Sequence, residues 1–64
     1  MEAWVIKRDD GDYLANPDYD MWTHLYKALM LISEKEARKI MKIYGIKKAK
    51  PVKIKIIEEV EEDE

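Results

Sequence analysis

The strongest constraint on the fold is a helix whose two ends are both marked in the sequence. Ser33 is followed three residues later by Glu36, a capping box in which each side chain bonds to the other residue's amide. Gly45 stands where a left-handed residue commonly ends a helix. Between these two ends, apolar residues recur at helical spacing: Ala37, Ile40, Met41 and Tyr44. The sequence therefore predicts a helix over residues 34–44 with one buried face.

The segment after this helix predicts a β-strand. Pro51 prevents any helical continuation and suits the start of a strand. From Val52 to Ile56, apolar residues alternate with lysines. We expect a strand with a buried apolar face and an exposed lysine face, which ends near Ile56 because the alternation breaks there.

The N-terminal residues predict a β-hairpin. Trp4 and Ile6 share one face of the first strand, and residues 13–15 form the short return strand. Between the two strands, Asp10 and Gly11 predict a type I′ turn.

Residues 19–32 fit two patterns. Met21, Leu25 and Leu29 fit a helix face, which would give a helical hairpin with residues 34–44. Ser33, however, leaves no loop between two such helices, whereas this kind of connection takes about 2–8 residues. The sequence therefore favours a third strand over residues 19–23, a helical turn over 24–27 and a fourth short strand over 28–32.

Together these elements predict an α+β fold in which a small antiparallel sheet of three or four strands has one helix packed on one face. We expect a single domain over residues 1–57 and an acidic C-terminal tail over residues 58–64. A chain of 64 residues without cysteine has a small core and no disulfide, so self-association into a homodimer is a further expected source of stability. The predicted core residues are Trp4, Ile6, Leu14, Ala37, Ile40, Met41, Tyr44, Val52, Ile54 and Ile56.

Charged residues are segregated along the chain. Residues 1–20 hold two basic and six acidic side chains, residues 21–57 hold ten basic and two acidic ones, and residues 58–64 hold six acidic ones. The net charge of −2 hides this pattern. A basic middle tethered to an acidic tail favours electrostatic binding of a partner.

The sequence offers little for catalysis. His24 is the single histidine, there is no cysteine, and two glycines are too few for a phosphate-binding loop. The aspartates between Asp9 and Asp12 are best interpreted as turn formers, not cation ligands. We therefore expect no catalytic residue, no metal site and no cofactor, and we predict that the chain is not an enzyme.

Two sets of residues are candidates for binding. The first is a protein-binding set: exposed aromatic side chains would anchor a partner, and the acidic tail would imitate the charge of a nucleic acid. Its members are Tyr19, Trp22, Glu58, Glu59, Glu61 and Glu62. The alternative is a nucleic-acid-binding set made of Lys42, Lys47, Lys48, Lys50, Lys53 and Lys55. Base readout favours arginine, and this chain has only Arg8 and Arg38.

A resemblance adds to this interpretation. Trp4 to Lys7, the pair Asp10 and Gly11, Trp22, and the segment from Ser33 to Ala37 follow each other in a pattern that resembles small bacteriophage and prophage proteins. The resemblance implies origin on a mobile element and binding to a host or defence-system protein. Our first hypothesis is therefore a non-enzymatic accessory protein that binds and inhibits such a protein.

Two other functions remain open, a small nucleic-acid-binding protein and a dimerisation module of a larger assembly. No apolar run approaches the roughly 18 residues of a membrane span, and the first residues lack a secretory pattern. We therefore expect the cytoplasm of the host cell as the compartment and no membrane partner.

Overall fold

The computed structural model describes residues 2–56, which form four strands and one α-helix. The strands are β1 (Glu2–Arg8), β2 (Tyr13–Asn16), β3 (Met21–Thr23) and β4 (Ala49–Lys55), and they lie in the order β3-β2-β1-β4 with every pair antiparallel. The helix α1 (Glu34–Tyr44) packs on one face of this sheet. The predicted α+β fold is confirmed.

Helix α1 has the predicted bounds. The Ser33 Oγ accepts a hydrogen bond from the amide of Glu36 at 3.2 Å, and Gly45 is left-handed with a φ of 65°. Within residues 2–56 the return bond from the Glu36 side chain is not formed, so only half of the capping box is present. A neighbouring ion pair joins Glu34 to Arg38 at 2.7 Å across one turn of the helix.

The prediction of a type I′ turn in the first hairpin is wrong. A type I′ turn needs a positive φ at both central residues, and Asp10 does not have one. Instead, the Gly11 amide donates to the Arg8 carbonyl at 2.9 Å, and the Arg8 amide donates to the Asp12 carbonyl at 2.7 Å. This is a three-residue loop in which Gly11, with a φ of 99°, supplies the one positive φ.

The structure rejects the helical hairpin for residues 19–32. The third strand is shorter than expected and follows a 3-10 turn at Pro17–Tyr19. The predicted helical turn is present as a 3-10 turn at Leu25–Lys27. The predicted fourth strand over 28–32 is reduced to a single bridge, in which Leu31 and Trp4 exchange two backbone hydrogen bonds of 2.8 Å. The five-residue segment before the helix cap is too irregular to continue the ladder.

The core lies between α1 and one face of the sheet. Its buried members are Ile6, Leu14, Leu31 and Ala37, and Ile6 is only 1% exposed. Ile40 and Met41 of α1 pack against this cluster, together with Trp4 and Trp22 from the sheet. The core prediction was therefore right for most residues of β1, β2 and α1.

The core prediction for β4 is wrong. Directly opposed residues of an antiparallel pair lie on the same face, and Val52 stands opposite Val5 while Ile54 stands opposite Ala3. These residues alternate with Ile6, so they lie on the face turned away from α1. Lys53, opposite Trp4, shares the face of the helix instead. Both faces of β1 carry apolar residues, so the register between β1 and β4 decides whether the apolar residues or the lysines of β4 lie on the side of α1.

Two further core predictions need correction. Tyr44, the last residue of α1, is 45% exposed. Ile56 is half-buried and follows the end of β4. Val5 and Ala3, which were not predicted as core residues, are buried.

The outer edge of β4 is unsuited to pairing with another strand. The Asp9 amide donates to the Lys48 carbonyl at 2.9 Å, which indicates that the odd-numbered residues of β1 direct their backbone groups toward β4. Pro51 stands opposite Ile6, so its missing N–H falls on the outward side and no ladder bond is lost. Lys53 and Lys55 add charge to the same edge.

Candidate functional site

An open cleft of about 360 Å³ lies where the end of α1 meets β2 and β3. Its lining combines apolar, aromatic and charged side chains. The lining residues are Arg8, Leu14, Pro17, Asp20, Trp22, Tyr44, Gly45, Ile46 and Lys47.

Two contacts hold Trp22 in place at this cleft. Its indole Nε1–H donates to the Asp20 Oδ1 at 2.8 Å, and the Arg8 guanidinium lies 4.5 Å from the ring centroid on its face. Asp20 has a φ of 51°, a left-handed conformation that aspartate adopts more readily than most residues. The ring is therefore fixed by a hydrogen bond at its edge and a cation on its face.

Arg8 is surrounded by carboxylates. Its Nε donates to the Asp10 carboxylate at 3.0 Å, and a terminal nitrogen lies 2.9 Å from Asp10 and 3.6 Å from Asp12. The hydrogen bond to Asp10 raises the pKa of Arg8, and the same bond lowers the pKa of Asp10. Because its charge is balanced locally, Arg8 acts here by orienting Trp22 and not as a free anion-binding group.

Tyr44 joins the end of the helix to the turn before β3. Its hydroxyl donates to the Asp18 Oδ1 at 2.8 Å, and this hydrogen bond is the main cause of the raised pKa of Tyr44. A phenolate beside a carboxylate would be repelled, which raises the pKa further. The contact connects residues 26 positions apart and fixes one wall of the cleft.

The two aromatic residues of the predicted protein-binding set lie together at this site. Trp22 lines the cleft, and Tyr19 lies between the lining residues Pro17 and Asp20 with 77% of its surface exposed. The four glutamates of the same set, between Glu58 and Glu62, lie outside the described residues. Tyr44 was predicted as a core residue and Arg8 was given no role, because the contacts of Arg8 with Trp22 and of Tyr44 with Asp18 join distant parts of the chain.

The predicted nucleic-acid-binding lysines do not share one face. Lys50 lies opposite Lys7 on the side turned away from α1, whereas Lys53 and Lys55 lie on the other face of the same strand. Lys53 is paired with Glu2 at 3.1 Å. Lys47 lines the cleft, Lys48 is left-handed with a φ of 60° in the loop before β4, and Lys42 is exposed on α1.

Metal ligands do not converge in the part of the chain that the structure describes. Within residues 2–56 no group of three or more histidine, cysteine, aspartate or glutamate side chains is placed to hold an ion. His24 stacks on Tyr26 with 5.7 Å between ring centroids and 8° between planes. The single α-helix of these residues has 11 residues, and no helix among them has the length and apolar character needed to cross a membrane.

No protein-family model, curated protein or solved structure matches the chain. The resemblance to small bacteriophage proteins therefore stays a prediction.

Proposed function

We propose that this chain is a non-enzymatic binding module that docks a protein partner through the cleft and the adjacent Tyr19. The observation that carries this proposal is the convergence of Trp22, Tyr44 and Arg8 on one concave surface, beside an aromatic ring that is 77% exposed. Tryptophan, tyrosine and arginine are the residue types that dominate the energy of protein interfaces.

The rim of the cleft is organised before any partner arrives. Trp22 is bound to Asp20, Tyr44 is bound to Asp18, and Arg8 covers the indole face. A fixed rim lowers the entropy lost on association, because these side chains are already ordered. Pro17 and Ile46 add half-buried apolar surface to the lining, against which an apolar side chain of the partner can pack.

The expected partner is a bacterial host or defence-system protein. This part of the proposal depends on the resemblance to small bacteriophage proteins, and binding would inhibit the partner by covering part of its surface. The segregated charge along the chain supports a docking role, since it would steer a charged partner during association.

The test is affinity capture from a bacterial lysate at physiological salt, followed by titration of the purified partner. The variant Tyr19→Ala removes the most exposed aromatic ring beside the cleft, whereas Tyr26→Ala removes a ring that is 74% exposed and lies elsewhere. A hot-spot tyrosine contributes about 2 kcal/mol or more, so we expect Tyr19→Ala to weaken binding roughly 30-fold. Tyr26→Ala is expected to bind like the unmodified chain.

Two results would refute the proposal. One is the failure to recover any protein in stoichiometric amount with the unmodified chain. The other is a recovered partner that binds both tyrosine variants equally well. The predicted homodimer is a separate matter, and light scattering of the unmodified chain measures it.

A further inference from the structure

The face of the sheet turned away from α1 carries one row of polar and aromatic residues across all four strands. Lys50 is opposite Lys7, Lys7 is opposite Tyr13, and Tyr13 is opposite Thr23. Directly opposed residues lie on the same face, and neighbouring strands are about 4.8 Å apart. We call these four residues the cross-sheet row; it extends roughly 14 Å from β4 to β3.

The side of the sheet on which the row lies follows from the core. Ile6 and Leu14 belong to the buried cluster that contains Ala37 of α1. Lys7 and Tyr13 are their immediate neighbours along β1 and β2, and side chains alternate between faces along a strand. The row is therefore separated from the cleft described above, which lies on the helix side.

The two lysines of the row have no ion-pair partner among the residues that the structure describes. Within residues 2–56, no carboxylate lies within 4.0 Å of the ammonium group of Lys7 or Lys50. The opposite holds on the helix side, where Arg8 has two carboxylate neighbours and Lys53 is paired with Glu2. The Lys7 Nζ lies 5.6 Å from the centroid of the Tyr13 ring, so cation and ring are presented together.

A second aromatic and basic pair follows the row directly along the chain. The 3-10 turn after Thr23 places the Lys27 Nζ 5.8 Å from the centroid of the Tyr26 ring. Tyr26 is largely exposed, and His24 stacks flat against it. Together, the row and this turn carry three lysines and two tyrosines.

We propose that this face binds single-stranded nucleic acid, with Lys7 and Lys50 contacting phosphates and with Tyr13 and Tyr26 stacking on bases. Single strands are bound by positive surfaces whose aromatic side chains stack on successive unpaired bases. Lysine serves as a point charge for phosphate, and the lack of arginine in the row favours binding without base readout. An acidic peptide would use the ammonium groups but would leave the half-buried Tyr13 ring and the exposed Tyr26 ring without a function. This activity is additional to the docking of a protein at the cleft.

The experiment measures the fluorescence anisotropy of a labelled oligothymidylate of about 12 nucleotides, titrated with the full chain over a series of salt concentrations. The double variant Lys7→Gln/Lys50→Gln removes the two lysines of the row. The matched control Lys53→Gln/Lys55→Gln removes the same charge from the other face of β4. Comparing the two separates the row from a general effect of charge.

We expect binding at low salt that weakens as salt is added. The row variant should raise the dissociation constant about tenfold. It should also reduce the slope of log affinity against log salt concentration by about 1.4, since each of the two lost phosphate contacts with a single strand contributes roughly 0.7 to that slope. The control variant should change neither quantity. Tyr26→Ala should weaken binding at least about fivefold, because stacking on one base is lost. Since Tyr26 is exposed, this variant tests the proposal even if the row variant does not fold.

Several outcomes would overturn the proposal. These are the absence of binding at low salt, an equal effect of the two lysine pairs, equal affinity for a duplex of the same length, or equally effective competition by polyglutamate. Tyr19→Ala should leave oligonucleotide binding unchanged. The two proposed functions can therefore fail independently of each other.

Discussion

Replacing Ile6 with valine tests the packing of this domain directly. Ile6 is 1% exposed and belongs to the cluster beneath α1, so the removed methyl group leaves a space surrounded by buried side chains. The transfer of one methylene contributes about 0.8 kcal/mol, and buried isoleucine-to-valine changes cost about 0.5–1.5 kcal/mol. A domain of this size has a free energy of unfolding of roughly 3–5 kcal/mol, so we expect a loss of about a quarter of it.

The matched control is Ile54→Val, the same chemical change in β4. Ile54 is half-buried and lies opposite Ala3, on the face turned away from α1. Part of the removed methyl group is already in contact with water, so the expected cost is below about 0.5 kcal/mol.

Urea unfolding followed by the fluorescence of Trp4 and Trp22 measures both variants. With a slope of about 1 kcal/mol per molar urea, the midpoint should fall by about 1 M for Ile6→Val and by less than about 0.5 M for Ile54→Val. Equal shifts, or a larger shift for Ile54→Val, would show that the apolar side of β4 packs beneath the helix. The register described above would then be wrong.

Three other predictions each concern one side-chain contact. Ser33→Ala removes the helix cap and should lower the free energy of unfolding by about 1 kcal/mol, as measured by urea unfolding. The pKa of Asp10 lies below its ordinary value because Arg8 donates to its carboxylate. The stability that Asp10 contributes should therefore be complete above its unfolded pKa and be lost as the pH falls through its folded pKa. Carboxyl NMR titration measures this pKa, and an unshifted Asp10 would refute the prediction. The pKa of Tyr44 lies above its ordinary value, so the stability that Tyr44 contributes should be complete below its unfolded pKa and be lost as the pH rises through its folded pKa. Ultraviolet titration should show a lower pKa for Tyr44 in the variant Asp18→Asn. The same pKa in both proteins would argue against the hydrogen bond.

The elements that local chemistry controls were predicted well. The bounds of α1 follow from Ser33 and Gly45, since a hydroxyl cap and a left-handed glycine act within one turn of their own position. The first hairpin was also found, although its turn type was not. An aspartate-glycine pair fits both a two-residue and a three-residue hairpin loop. The hydrogen bond from the Arg8 amide to the Asp12 carbonyl selects the three-residue loop.

The contacts of the candidate site were not predictable from local patterns. Arg8 meets Trp22, and Tyr44 meets Asp18, across separations in the chain that no short motif describes. Trp22 and Tyr19 were predicted as binding residues because aromatic residues in an irregular region are typical of binding surfaces. The cross-sheet row was missed for a similar reason, because its four residues come from four different strands.

By itself, the sequence determined the α+β class, the bounds of the helix and the segregation of charge along the chain. Caps, periodicity and composition express these properties within a few residues, so they do not depend on how the segments meet. Only the tertiary structure decided which side of β4 faces the helix, where the cleft forms and which lysines share a face. An alternating strand defines two faces but cannot say which is buried, since strand register and the packing of α1 are set by contacts between distant residues.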